Sequence, residues 1–227
     1  MRADYFQNTV YPLQDKVLKI VGALPVDFYL TGGTALARAY LHHRHSDDLD
    51  FFINASKNFK RQVEAIIDYF NASEVRFDPA AADDSYARIF VYEGEDILKL
   101  DFVNDVPFRK GLPVITNIFP RTDNILNILS NKLAALSRYA AKDVADIVFI
   151  SQSIPFNWEE MFMDASEKDL WANPVNAAEI LEKFPLEKLN EIAWVDEIPD
   201  YEWFASKINQ IIPEMLEGSD NSLFITR

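Results

Sequence analysis

Two short motifs near the start of the chain carry residues that could handle phosphate and a divalent metal ion. Gly32, Gly33 and Thr34 form the first motif, and a glycine-rich turn lets backbone N–H groups approach phosphate oxygens. Asp48 and Asp50 form the second. Carboxylates at positions i and i+2 of a strand point to one face, where they can hold Mg²⁺. Together these residues suit a site that positions a nucleoside triphosphate with its metal.

A third carboxylate, Asp101, lies in another apolar segment, Leu98–Val103. Phosphoryl-transfer sites commonly place several carboxylates around two metal ions, so Asp101 is the candidate third ligand. Ordinary fold requirements could also explain each motif. The glycine pair could serve a plain turn from strand to helix, and the Asp48–Asp50 pair could be the polar face of a half-buried strand. Asp101 could pair with Lys99 or with an arginine on an edge strand.

The elements that must position these motifs follow from hydrophobic periodicity and turn residues. In the first half of the chain, the pattern predicts helices over residues 12–24, 34–41 and 58–71. It predicts strands over residues 27–31, 49–54, 74–78, 86–93 and 96–104, and Gly94 favours a hairpin between the last two. The glycine motif therefore follows a strand and opens a helix, which is the setting that a phosphate-binding turn requires.

Beyond about residue 120 the pattern is helical. Asp123 can cap a helix that we expect to reach residue 139, another helix is expected from 142 to about 152, and shorter helices follow between prolines. The sequence therefore predicts two domains, an α/β domain of residues 1–120 and a helical domain of residues 121–227.

Charge limits the classes of partner. The 227-residue chain has a net charge of −14 at pH 7. Residues 151–227 hold five Lys/Arg and sixteen Asp/Glu, a net charge of −11, whereas residues 1–150 hold seventeen and twenty, a net charge of −3. Nonspecific nucleic-acid affinity comes from neutralising phosphates, so we expect no general DNA binding. An RNA end would need a local basic patch.

Composition also bears on location. The chain has no cysteine, which excludes disulfides and thiolate metal sites. The first residues lack the apolar region of a signal peptide, and no apolar run is long enough to span a bilayer. We therefore expect a cytoplasmic protein without a membrane partner.

The motifs together resemble a known family. The segments Thr31–Leu36 (TGGTAL) and His43–Phe52 (HRHSDDLDFF) are similar to the AbiEii/AbiGii toxins, within the nucleotidyltransferase superfamily that has a DNA polymerase β-like fold. The similarity covers roughly residues 28–150. It extends to Lys99-Leu100-Asp101, Asn131-Lys132-Leu133, Arg138, Lys142-Asp143 and Asp146.

The resemblance implies an α+β fold, with a nucleotidyltransferase-type mixed sheet flanked by helices and followed by an all-helical half. It implies an enzyme that transfers NMP from an NTP to an acceptor, with Mg²⁺ as cofactor. Such toxins belong to type IV toxin–antitoxin and abortive-infection systems, so a cognate antitoxin is an expected partner. Some relatives add nucleotides to tRNA acceptor ends. The donor suggested by the resemblance is GTP for some relatives and pyrimidine nucleotides for others. The candidate patch for a tRNA acceptor consists of Lys99, Arg109, Lys110, Lys132, Arg138 and Lys142.

The resemblance also implies roles for individual residues. Gly33 and Thr34, with Gly32, would hold the triphosphate. Asp48, Asp50 and Asp101 would bind Mg²⁺, and Asp101 would also be the base for the attacking hydroxyl. Lys132 would approach the phosphates from the helical half, Lys142 and Asp143 would lie at the nucleotide or at the domain interface, and Arg44 and Ser46 would orient the aspartate strand.

Two other functions stay open. A small-molecule nucleotidyltransferase resembling aminoglycoside-modifying enzymes suits the low basicity of the chain better. A nucleotide-binding regulatory protein whose catalysis has lapsed is the other alternative, although the presence of all three carboxylates argues against it.

Overall fold

The computed structural model describes residues 2–224, with side chains from residue 4 onward. The chain divides into two compact units. The first contains the residues up to Tyr40, His45–Pro107 and Leu112–Asn124, and the second contains Leu41–Arg44, Phe108–Gly111 and the residues from Ile125 onward. Residues 121–124 lie with the first unit because the backbone of residues 121 and 123 hydrogen-bonds to Leu30. Residues 225–227 of the predicted helical domain lie outside the described residues.

A five-stranded mixed sheet forms the centre of the first unit. Its strands are β1 (Tyr29–Thr31), β2 (Asp48–Asn54), β3 (Arg76–Ala82), β4 (Tyr86–Glu93) and β5 (Asp96–Asp105). Their order is β1-β2-β5-β4-β3, with β2 and β5 parallel and the other neighbours antiparallel. The expected hairpin joins β4 to β5, and Gly94 in its turn has a φ of 62°.

Aromatic side chains and helix α4 (Phe59–Ala72) pack on one face of this sheet. The other helices of this unit are α1 (Arg2–Tyr5), α2 (Tyr11–Ala23) and α3 (Gly32–Ala35), and π-helical turns follow α1 and α3. Phe51 of β2 stacks on Phe102 of β5 with ring centroids 5.2 Å apart, and Phe28 contacts both Phe102 and Phe59 of α4. Because strand side chains alternate, this apolar packing turns the neighbouring aspartates to the opposite face.

The second unit is helical. It contains α5 (Ile125–Ala134), α6 (Ala141–Ser153), α7 (Trp158–Ser166), α8 (Pro174–Glu182) and α9 (Tyr201–Glu217), with short 3₁₀ turns at Leu136–Arg138 and Leu186–Glu191. Helix α6 is buried along most of its length, polar residues included. It is therefore the central helix of this unit, and its polar side chains need partners inside the protein.

The predicted helix from Asp123 to residue 139 is shorter than expected. Helix α5 begins at Ile125 and ends at Ala134, and the chain turns at Tyr139, whose φ of 53° lies in the left-handed region. Asp123 belongs to the first unit, where its carboxylate accepts a hydrogen bond from the Thr31 hydroxyl at 2.7 Å.

The predicted fold class is confirmed, since a mixed sheet with flanking helices precedes a helical region. Among the helices of residues 2–224, none combines the length and the apolar character needed to cross a membrane.

Candidate active site

Three aspartates share one face of two neighbouring strands. Asp48 and Asp50 lie on β2, and the parallel register places Asp50 directly beside Asp101 of β5. Asp48 is 9% exposed and Asp101 is 8% exposed, so both carboxylates lie largely out of water. Carboxylates this close together disfavour one another's ionisation. The side chains around them must therefore supply compensating charge or hydrogen bonds.

An arginine and a tyrosine of β4 hold Asp101. Arg88 donates from Nε to Asp101 Oδ1 at 2.7 Å and from Nη2 to Oδ2 at 2.9 Å, and the Tyr86 hydroxyl donates to Oδ1 at 2.7 Å. Burial alone would raise the pKa of Asp101, but these bonds and the Lys99 ammonium hold it below its ordinary value. Burial and the bond to Asp101 raise the pKa of Tyr86 to about 12. Asp101 is thus a weak base in this arrangement, and its predicted role as base would require Arg88 to release it.

Lys99 lies between the carboxylates of the two strands. Its Nζ is 3.0 Å from Asp48 Oδ2 and 3.3 Å from Asp101 Oδ2. Burial would lower the pKa of Lys99, but the negative charge of Asp48 raises it above the ordinary value. Asp101 therefore pairs with both Lys99 and an arginine, as the alternative expectation described. That expectation also placed Asp101 on an edge strand, whereas β5 lies inside the sheet.

The donor set of this face suits Mg²⁺, but the side chains do not surround a metal position as they stand. Carboxylate oxygens are the ligands that Mg²⁺ prefers, and the Lys99 ammonium shows that a cation fits between Asp48 and Asp101. Over residues 2–224, no three carboxylate or imidazole side chains stand close enough to hold a metal ion. A metal ion bound to both Asp48 and Asp101 would have to replace Lys99.

The glycine motif lies beside the same carboxylates. Gly32 has a φ of 68°, and a Cβ at this position would collide with the carboxylate of Asp50. Gly33 is buried in the first turn of α3. Thr34 is also buried, and its hydroxyl donates to the backbone carbonyl of Asp48 at 2.5 Å. That bond ties the glycine turn to β2, and any contact of Thr34 with a triphosphate would have to coexist with it.

Helix α2 supports the aspartate strand through Gln14. The amide of Gln14 donates to the carbonyl of Ser46 at 2.9 Å and to that of Asp48 at 3.4 Å. Ser46 also donates to Asp48 Oδ1 at 3.4 Å, in keeping with its predicted orienting role. Arg38 donates to the side-chain oxygen of Gln14 at 3.0 Å and to the carboxylate of Asp15 at 2.7 Å. Its guanidinium therefore fixes Gln14.

Lys132 and Asp143 belong to a buried ion-pair network within the second unit. Lys132 Nζ lies 2.7 Å from Asp143 Oδ1 and 2.7 Å from Asp146 Oδ2. Arg44 donates to Asp146 from Nε at 2.7 Å and from Nη2 at 2.8 Å. Arg138 donates to Asp143 Oδ2 at 3.0 Å. Arg44, expected to orient the aspartate strand, therefore neutralises a buried carboxylate of α6.

The network fixes the protonation of its members. Burial would raise the pKa of Asp146, but Arg44 and Lys132 hold it well below its usual range. His43 Nε2 lies 2.9 Å from Asp146 Oδ1, and burial lowers the pKa of this histidine despite that contact. At neutral pH the imidazole is uncharged, so we assign it the tautomer that donates from Nε2 to the carboxylate.

The predicted contacts of Lys132 and Asp143 with a nucleotide stay predictions. Asp143 is fully buried and engaged by Lys132 and Arg138, so it does not face solvent in this arrangement. Lys142, the other member of that motif, is exposed on the first turn of α6.

The predicted basic patch is largely committed to other contacts. Lys99 and Lys132 contact the aspartates already described, Lys110 lies 2.8 Å from Asp164, and Arg109 donates to the carbonyl of Gly111 at 2.8 Å. The members with exposed side chains are Arg138, at 65% exposure, and Lys142.

Sequence reasoning missed Arg88 and Tyr86. A usable signal was present, because the predicted hairpin pairs Glu93 with Asp96. Counting back from that turn places Arg88 opposite Asp101.

Comparison with known families assigns the chain. A family model described as the nucleotidyl transferase AbiEii toxin of type IV toxin–antitoxin systems matches residues 20–214. The chain belongs to the AbiEii family. The resemblance inferred from its motifs is confirmed, and it extends beyond residue 150 into the acidic part of the chain.

Individual relatives of this AbiEii chain are distant. The uncharacterized protein aq_aa25 of Aquifex aeolicus (strain VF5) is 30% identical over 149 residues, which cover 60% of this chain and 63% of that protein. The match thus spans less than two thirds of the relative. Two solved structures from Helicobacter pylori share the fold of this chain. The structure of JHP933 has a TM-score of 0.61 at 23% identity, and the match covers 92% of this chain and 93% of the other. The structure of a candidate nucleotidyltransferase has a TM-score of 0.58 at 22% identity, and the match covers 92% of this chain and 96% of the other.

The contact between Gly32 and Asp50 predicts that Gly32→Ala destabilises the protein by more than the backbone strain of a left-handed residue. Gly94 has a similar φ of 62°, but no atom of the described residues lies within 4 Å of an added Cβ, so Gly94→Ala is a matched control. We expect Gly94→Ala to lower the free energy of unfolding by about 1–2 kcal/mol, the cost of the left-handed conformation. Gly32→Ala should lower it further because Asp50 must move. Equal losses in urea unfolding would contradict this account.

The buried network predicts a loss of stability for Asp146→Asn. Removing one partner of a buried ion pair typically costs about 3–5 kcal/mol, and the exposed Asp196→Asn variant in the same unit is the control. Because the folded-state pKa of Asp146 is depressed, its stabilisation is complete above the unfolded value of about 4 and is lost as pH falls below it. Urea unfolding at pH 7 and at pH 3.5 should therefore show a smaller difference between wild type and variant at pH 3.5.

Proposed function

We propose that this AbiEii chain is a metal-dependent nucleotidyltransferase that moves NMP from an NTP to an acceptor hydroxyl. The observation that carries the proposal is the packing of Gly32 against Asp50, with Asp48 and Asp101 on the same face. A turn without side-chain bulk and a set of oxygen ligands are what a triphosphate–metal complex requires. Membership of a nucleotidyltransferase family supports the same reaction.

The side chains of this face have separable roles in the proposed reaction. Asp48 and Asp50 would hold Mg²⁺, and Asp101 would join them once Lys99 has moved. Bound Mg²⁺ would offset the negative charge that develops on the α-phosphate and the leaving pyrophosphate. The backbone of Gly32 and Gly33 would orient the triphosphate, and the cationic side chains of this face would further stabilise the leaving group.

We extend the proposal to the biological role. The family is described as toxins of type IV toxin–antitoxin systems, which supports a cytoplasmic toxin with a cognate antitoxin. For the acceptor we propose a tRNA end, contacted in the second unit by the exposed side chains of Arg138 and Lys142. Two phosphate contacts would make acceptor binding only weakly salt-dependent.

A small-molecule acceptor is the second candidate, and the net charge of −14 favours it. A chain this acidic attracts cationic molecules and repels polyanions at long range. The two candidates separate in one experiment, in which each of the four α-labelled NTPs is incubated with total tRNA or with an aminoglycoside panel. Label on RNA supports the first candidate, and label on an aminoglycoside supports the second. Nucleotide binding without transfer to either acceptor would contradict both.

The metal assignment predicts that Asp48→Asn and Asp50→Asn lower the rate of transfer by about a hundredfold or more, since charge stabilisation at the transferring phosphoryl group is a large part of catalysis. Both variants should also abolish growth inhibition on expression. Asp47→Asn is the matched control because Asp47 adjoins Asp48 but is exposed. Full activity of either site variant would refute the assignment, as would equal losses in Asp47→Asn.

A further inference from the structure

Lys99 occupies the position at which a divalent cation would join the two aspartate strands. In the β2–β5 register Lys99 lies directly beside Asp48. Its ammonium is within 3.3 Å of both Asp48 Oδ2 and Asp101 Oδ2. A Mg²⁺ ion held by the same two carboxylates would need the space that the ammonium fills. The ion and the ammonium could not occupy that space together.

Arg88 differs from Lys99 in how it engages the site. Arg88 binds both oxygens of Asp101 in the bidentate geometry that guanidinium groups favour. Lys99 is a point charge on a flexible stem, and it meets one oxygen of each aspartate. The two side chains are similarly exposed, 37% for Arg88 and 34% for Lys99, so the difference lies in the geometry of their contacts. Lys99 can therefore move off its partners toward solvent while Arg88 stays in place.

Charge balance makes the exchange dependent on nucleotide. The three aspartates carry three negative charges, and Arg88 and Lys99 bring two positive charges to them. A divalent ion that displaces Lys99 balances the charge of the face, but it leaves the Lys99 ammonium without its anionic partners. A triphosphate arriving with the metal brings negative charge, and it offers Lys99 new oxygen partners. The exchange is then favourable, because each cation finishes beside an anion.

We propose that Lys99 is a built-in competitor of the catalytic metal, which holds Asp48 and Asp101 in the metal-free protein and transfers to the phosphates when the metal–nucleotide complex binds. This inference rests on the proposed function. It makes metal binding weak without nucleotide and strong with it. It also makes Lys99 a ligand of the donor nucleotide.

The test measures metal binding directly. Mn²⁺ is titrated into wild type and Lys99→Met, with free Mn²⁺ read by electron paramagnetic resonance. Each titration is run without nucleotide and with the α,β-methylene analogues of the four NTPs. Without nucleotide, we expect Lys99→Met to bind Mn²⁺ at least about tenfold more tightly than wild type, because the competing charge is gone. The analogues should then strengthen Mn²⁺ binding far more in wild type than in the variant.

Two further variants separate competition from other effects. Lys99→Arg keeps the positive charge, so its Mn²⁺ affinity should stay within about threefold of wild type. Lys16→Met removes a lysine from an exposed pair with Glu93, and it should bind Mn²⁺ as wild type does. Circular dichroism checks that each variant is folded. Should Lys99→Met fail this check, Lys99→Gln replaces it.

The outcomes distinguish this inference from the proposed function. Equal Mn²⁺ affinity of wild type and Lys99→Met without nucleotide would overturn the competition, even if the enzyme transfers nucleotides. Equal strengthening by the analogues in both proteins would overturn the transfer of Lys99 to the phosphates. Absence of Mn²⁺ binding in every protein, with and without analogue, would overturn the metal-dependent reaction and this inference together.

Discussion

Repulsion among three aspartates on one sheet face is the constraint around which the first unit is arranged. The parallel pairing of β2 with β5 sets Asp50 beside Asp101, and apolar packing on the other face of the sheet prevents these strands from turning their carboxylates away. The repulsion must be offset locally, and Arg88 contacts Asp101 while Lys99 contacts both Asp48 and Asp101. The glycine turn fits the same arrangement, because only a residue without a side chain leaves room for Asp50.

The second unit also has to neutralise neighbouring carboxylates, and there they are fully buried. Asp143 and Asp146 lie on the central helix α6 with no exposed surface, and buried charges are tolerated only when they are paired and hydrogen-bonded. Lys132 and Arg44 pair with Asp146 from two different parts of the chain. Residues 41–44 therefore belong to the helical unit, although in the sequence they come between strands β1 and β2. A buried ion network thus accounts for the assignment of residues 41–44 to the second unit.

Local patterns predicted most of the fold but only part of the candidate site. The strands and the β4–β5 hairpin could be read from alternation and Gly94, because both are short-range features. The pairing of Asp50 with Asp101 depends on a parallel register between distant strands, which no local pattern specifies. The contact between Arg44 and Asp146 joins residues 102 positions apart, and it was missed because matched motifs indicate importance without indicating partners.

The aspartate cluster of the sheet and the buried network of the second unit differ in how easily a lysine can leave its carboxylates. This difference assigns a chemical role to the first cluster and a structural role to the second. The side chain of Lys99 is 34% exposed, so moving its ammonium into water recovers much of its hydration. The side chain of Lys132 is 7% exposed, and its departure would leave two fully buried carboxylates short of positive charge. A contact of Lys132 with phosphate would therefore need a ligand anion that comes to the network, since withdrawing the lysine from it is costly. Cation exchange at modest cost is available on the sheet face, where the metal and the nucleotide are proposed to bind.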